Sequence, residues 1–123
     1  MSNEEYKQLL LDRLVSFSVS IIKLASYLPK TPAGFAIANQ LIRSATSIGA
    51  NCEEAQDALS HKDFVHSINI ALKEARETRY WLKVIQLSHL VEYGLVQIEL
   101  EECGEIIAIL ISTVKSLKEK ADN

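Results

Sequence analysis

The stretch Gln40-Leu41-Ile42-Arg43-Ser44-Ala45-Thr46-Ser47-Ile48-Gly49-Ala50-Asn51-Cys52-Glu53-Glu54-Ala55 decides the fold class. Within it Leu41, Ala45, Ile48, Cys52 and Ala55 recur at alternating spacings of four and three, and Ala38 and Leu59 extend the row at either end. That is the period of one face of an α-helix, whereas a half-buried strand alternates every second residue. Rows of the same kind lie on both sides. Leu10, Leu14, Phe17, Ile21, Leu24 and Leu28 come before it. Phe64, Ile68, Ala71, Ala75, Thr78, Leu82 and Ile85 follow, and then Leu100, Cys103, Ile107, Leu110, Val114 and Leu117. A mean spacing near 3.5 suits helices that pack at crossing angles of roughly 20°.

The punctuation between the rows places helices at roughly 4–28, 32–59, 61–90 and 97–120. Pro29-Lys30-Thr31-Pro32 closes the first, and Thr31 with Pro32 supplies the N-cap and first position of the second. Ser60 with Asp63 resembles a capping box opening the third, and Tyr93-Gly94 reads as its stop. Glu99, Glu101 and Glu102 near the start of the fourth, with Lys115, Lys118 and Lys120 near its end, carry the signs that a helix dipole favours. Connections this short force neighbouring helices to run antiparallel. The expectation is one all-α domain over residues 1–123, an antiparallel up-down-up-down four-helix bundle.

Composition points the same way. With 48% hydrophobic residues the chain is no disordered segment, and two cysteines exclude a disulfide scaffold. Four Gly and two Pro are too few for the turns of a many-stranded barrel or sandwich. Thirteen Lys and Arg against sixteen Asp and Glu leave a net charge of −3, which disfavours non-specific attachment to nucleic acid or anionic membrane. Met1-Ser2-Asn3-Glu4-Glu5-Tyr6 carries acids where a signal peptide is basic, and no window is apolar enough to span a bilayer. A cytoplasmic protein with no membrane partner is expected, with Cys52 and Cys103 as buried free thiols.

Two surfaces stand out. From Ala33 to Cys52 the only charged residue is Arg43, and Gly34, Ala36, Ala38, Ser44, Ala45, Ser47, Gly49 and Ala50 are small. A helix without a charged outer face is usually covered on most sides. Arg43, Ser47, Asn51 and Glu54 form a polar stripe beside the apolar row, either a solvated face or a subunit interface in which Arg43 and Glu54 pair with a neighbouring chain. Ile106 and Ile109 widen the apolar face of the fourth helix in the same direction. On the third helix Arg76, Arg79 and Lys83, with Lys73 to one side, form a basic stripe. It is either ordinary solvated surface or a set of phosphate contacts.

Signals for catalysis are few. Gly34, Gly49, Gly94 and Gly104 are scattered, so no phosphate loop is formed, and neither Glu-x-x-His nor His-Glu-x-x-His occurs. Asp57, His61, Asp63 and His66 are the nearest approach to a metal cluster, but an Asp there serves the helix cap. His89 reads as a bundle-end residue at a helix C-terminus. Neither cysteine has a histidine within one helical turn. No enzyme activity, metal or cofactor is expected.

The run Gln40–Ala55 resembles the second-helix signature of the small bacterial four-helix bundle proteins named for reading frames in the intervening sequences of 23S rRNA genes. Ile70-Ala71-Leu72-Lys73-Glu74-Ala75-Arg76-Glu77-Thr78-Arg79-Tyr80-Trp81-Leu82 is similar to the same family's third-helix pattern, matching at Glu77 and Trp81. The resemblance implies a homopentamer without established enzymatic activity. It also implies a similarity to the accessory protein of diversity-generating retroelements, a basic pentamer that binds nucleic acid and a reverse transcriptase. On this footing Arg43, Ser47, Asn51, Glu54 and Glu77 are expected to make structural or oligomer contacts, and Lys73, Arg76, Arg79 and Lys83 are the residues a nucleic-acid partner would meet. The acidic balance of this chain departs from the basic accessory proteins.

Overall fold

A computed structural model describes residues 1–122, leaving position 123 of the expected domain outside the described residues. Four helices account for the fold: α1 (Asn3–Ala25), α2 (Pro32–Ala55), α3 (His61–Leu87) and α4 (Tyr93–Asp122). Among the described residues there is no strand. Each helix packs on its chain neighbours, and α1 also touches α4, so the four form a closed set around one core.

Contacts at several heights show that α3 and α4, and α1 and α4, run antiparallel. Along α3 and α4, Cys103 meets Ala75, and Gln97 meets Gln86, so position rises on one helix as it falls on the other. On α1 and α4, Arg13 meets Glu102 and Glu105, while residues 3–11 share a cleft with residues 108–120. Every apolar row lies inward. Leu14, Ile21, Leu41, Ile48, Leu82, Ile85, Ile106 and Leu110 are fully buried, which is where the hydrophobic stabilisation resides. Ile106 therefore belongs to the chain's own core.

The helix starts follow the sequence. Thr31 accepts the Gly34 amide through its hydroxyl at 3.1 Å, with Pro32 at the first position, and Ser60 accepts the Asp63 amide at 3.1 Å. Ser2 adds a third cap, its hydroxyl bonded to both the backbone and the carboxylate of Glu5.

The helix ends differ. α1 stops at Ala25 and α2 at Ala55, each a turn short of its expected end, and Leu59 is 97% exposed rather than part of a core row. α3 stops at Leu87, and Tyr93-Gly94 is the first turn of α4, not the stop of α3. The actual stop is His89, whose φ of 55° is the left-handed conformation that usually takes glycine. Around it the Leu90 amide reaches Ile85 O (3.3 Å) and the His89 amide reaches Gln86 O (3.3 Å), a Schellman closure of the last turn. With α4 starting four residues early, Glu99, Glu101 and Glu102 lie beyond its first turn, so the dipole argument for them fails.

Candidate functional site

The polar side chains gather on two seams, α2–α3 and α1–α4. On the first, Arg43 is turned toward α3. Its guanidinium pairs with Glu74 at 3.2 Å and with Glu77, and its Nε donates to Gln40 at 3.3 Å. Glu77 accepts a second donor, the Trp81 indole N–H at 3.2 Å, and Tyr80 lies edge-on to the Trp81 ring. Glu74, Glu77 and Trp81 share this side of α3 because they are three and four residues apart. Beneath them, fully buried, Thr78 Oγ1 lies 2.9 Å from Ser44 Oγ and 2.8 Å from the Glu74 carbonyl oxygen. A hydroxyl pair of this kind is satisfied inside the core and fixes the register of α2 against α3.

These contacts bear on both readings of the stripe. Arg43 already has two partners on its own chain, the carboxylates of Glu74 and Glu77 on α3. Ser47 and Asn51 are likewise engaged locally, Ser47 donating to Arg43 O (2.7 Å) and Asn51 to Ser47 O (2.8 Å). Glu54 is exposed. The stripe of four is thus drawn together as an Arg43–Glu77 centre with two back-bonded helix residues, and Glu54 stands apart from it. Glu74 was missed in the sequence; the signal was its place one turn before Glu77, both acids on one helix edge.

The α1–α4 seam was missed altogether. Arg13 forms a two-pronged bond with Glu102, at 2.7 and 2.6 Å, and a further one with Glu105 at 2.8 Å. Hydrogen bonding from Arg13 holds the Glu102 carboxyl below the usual glutamate range, while burial, with Glu102 close by, pushes Glu99 above it. The signs oppose. Glu102 stabilises the fold above the ordinary glutamate pKa, and this is lost as pH falls through its lowered value. Glu99 is penalised instead as pH rises through its raised value. Further down the seam the helices part around a cleft of about 790 Å³, floored by Leu10, Leu11, Cys52, Phe64 and Ile68.

On α3 the basic stripe is a surface feature. Lys73, Arg76 and Lys83 are exposed and Arg79 is half-buried. Among the described residues none of the four has a carboxylate oxygen within 4.0 Å. At the α2–α3 turn the Asp63 amide is used by the Ser60 cap, and among the described residues no three metal-ligating side chains are grouped. No helix among them is long and apolar enough to cross a membrane.

Two comparisons bear on identity. The family model for the 23S rRNA-intervening sequence protein matches residues 7–112. The chain is also similar to a crystal structure of a protein of unknown function from the S23 ribosomal protein family of Bacteroides thetaiotaomicron VPI-5482. The identity is 38% over 86% of this chain and 98% of that one, with a TM-score of 0.80. No curated relative matches the chain.

Proposed function

We propose, from the premise that this chain belongs to the 23S rRNA-intervening sequence protein family, that it is a non-enzymatic subunit which assembles with copies of itself and acts through the surfaces of that assembly. One observation carries this reading. Between Pro32 and Cys52 the only charged side chain is Arg43, and Glu74 and Glu77 of α3 pair with it, so the outer side of α2 offers solvent no unpaired charge. Phe35 stands 61% exposed on that side. A helix whose outside lacks charge is normally covered. Five copies is the number that the family resemblance implies. The non-enzymatic part rests on the use made of the polar groups: the two arginines of the seams hold carboxylates in place, and burial raises the pKa of both thiols.

Light scattering on the native protein at micromolar concentration tests this. The expected mass is about five times the 13.7 kDa of one chain. A monodisperse species of 13.7 kDa overturns the reading.

A second reading, a nucleic-acid-binding accessory protein, is favoured by one feature, the four cations of α3 that lack ion-pair partners among the described residues. If they meet phosphates, affinity for single-stranded RNA falls with about the third power of salt concentration, the counterion-release slope for four contacts. A titration showing no saturable binding at low salt removes it.

A further inference from the structure

We infer that the middle of the outer α1–α2 surface is where a second copy of this chain packs, with α1 supplying the bulk of the apolar contact; this rests on the homo-oligomer reading above. From Leu14 to Ile22 α1 carries no charged residue on any side, unusual for a helix with an open flank. Three of its apolar residues cannot be serving the core: Val15 is 54%, Val19 45% and Ile22 49% exposed. Their spacing of four and three puts them on one row of the helix. Arg13 faces α4 through its bonds to Glu102 and Glu105, and the row lies on the other flank, toward α2.

The same elimination places the matching side of α2. Arg43 and Ser44 lie toward α3, and Gly49 sits against Leu14 of α1, where an added Cβ would lie 3.4 Å from the Leu14 Cβ. Phe35, Asn39, Ile42, Thr46 and Ala50, spaced four, three, four and four, form the row that looks outward beside α1. Phe35, Asn39 and Ala50 are exposed, and Ile42 and Thr46 half-buried. Since Leu14 meets Gly49 in antiparallel register, Val15–Ile22 runs beside the Ile42–Thr46 part of this row. The two rows are therefore one surface.

Size and charge choose the occupant. Sixteen residues of α2 and nine of α1, at 1.5 Å per residue and about 10 Å of width per helix, give an area of roughly 400 Å² in projection, whose one charge, Arg43, is turned aside to Glu74 and Glu77 of α3. Its rim is charged in both signs, with Asp12 and Glu53 at one end and Lys23 at the other. A desolvated centre of this extent inside a polar rim is the anatomy of a stable interface of about 800 Å² per partner. Nucleic acid or an anionic membrane would need cations in the centre, and there are none. Small side chains on α2, Ala36 and Ala50 among them, admit close approach by a helix of the neighbour.

Concentration-dependent mass measurements on the full chain and on Val19→Glu, Phe35→Glu and the milder Val19→Ser test the inference, with Leu87→Glu at the exposed end of α3 as a control. Wild type and control are expected to stay assembled. Both glutamate variants should dissociate at concentrations about a hundredfold higher or more, since each would bury an unpaired carboxylate. Val19→Ser, which keeps the fold if a glutamate variant does not, should shift in the same direction by a smaller factor. Assembled wild type with unshifted variants overturns this interface while leaving the homo-oligomer reading intact. Monomeric wild type overturns that reading and this inference with it.

Discussion

Replacing Gly34 with alanine is expected to lower the thermal midpoint by roughly 8 °C, measured by circular dichroism at fixed protomer concentration. Gly34 lies in the first turn of α2, where the chain doubles back from α1. A Cβ there would sit 1.8 Å from the Pro29 carbonyl oxygen and 2.9 Å from its carbon, with Thr31 Oγ1 at 3.3 Å. Two terms oppose. Alanine is favoured over glycine within a helix by about 1 kcal/mol. Against this, overpacking a site that cannot yield costs about 1–3 kcal/mol, and here the obstacle is backbone rather than the end of a flexible side chain. Moving Pro29 away also disturbs the turn that sets up the Thr31 cap, worth about 1 kcal/mol. The clash prevails over propensity, for a net cost of about 1–3 kcal/mol. Gly49 is the internal comparison. Its added Cβ would meet Leu14 at 3.4 Å, ordinary contact, so Gly49→Ala is expected to move the midpoint far less. Equal effects at the two positions would show that the Pro29 contact is not what matters.

The second large effect is chemical. Cys52 and Cys103 are free thiols, 2% and 0% exposed, and burial pushes them up from the ordinary 9.0 to about 11 and about 12. The thiolate is the reacting species, and its fraction at pH 8 falls about tenfold per unit of pKa. Labelling by a disulfide reagent should therefore be slower than in the unfolded chain by about a hundredfold at Cys52 and about a thousandfold at Cys103. The expected count is none in the native protein within the time that urea-unfolded protein yields two. Cys52 is the informative site, because it lies in the floor of the cleft where α1 and α4 part. Rapid native labelling confined to Cys52 would show that this seam opens and would contradict the low reactivity expected. The same shifts govern alkaline stability. Both thiols have folded values above their unfolded one, so their contribution is complete below about pH 9 and is lost as pH rises toward 11 and 12.

How much of this was legible in the sequence varied with how local the cause is. The caps at Thr31 and Ser60 depend on neighbours three residues away, and they stand where the sequence places them. The apolar rows predicted the core, because burial on a helix is a matter of period. Leu59 failed since α2 ends at Ala55, and a row can run on past the residues that are actually helical. The stop of α3 failed for a different reason. Sequence logic looks for glycine at the left-handed position, and this chain puts His89 there, leaving Gly94 inside a helix where an added Cβ would meet nothing. Family pattern pointed to Glu77 and Trp81, but that Arg43 and Trp81 share one carboxylate came only from the packed helices.

The sequence by itself determined the class of fold, four amphipathic helices joined by turns too short for any but antiparallel neighbours, and with it the family. The fold class follows from period and punctuation, which act over a few residues, and the family from its likeness to the residue patterns of Gln40–Ala55 and Ile70–Leu82. Only the tertiary structure decided which polar groups meet. Arg13 and Glu102 are 89 positions apart, and Arg43 is 34 from Glu77, distances across which residue spacing carries no information. The same closure settled which apolar residues were left outside. Val15, Val19 and Ile22 stand off the apolar row of the first helix, and only once α2 and α4 have taken their places on α1 does it emerge that, among the described residues, nothing covers their outer halves.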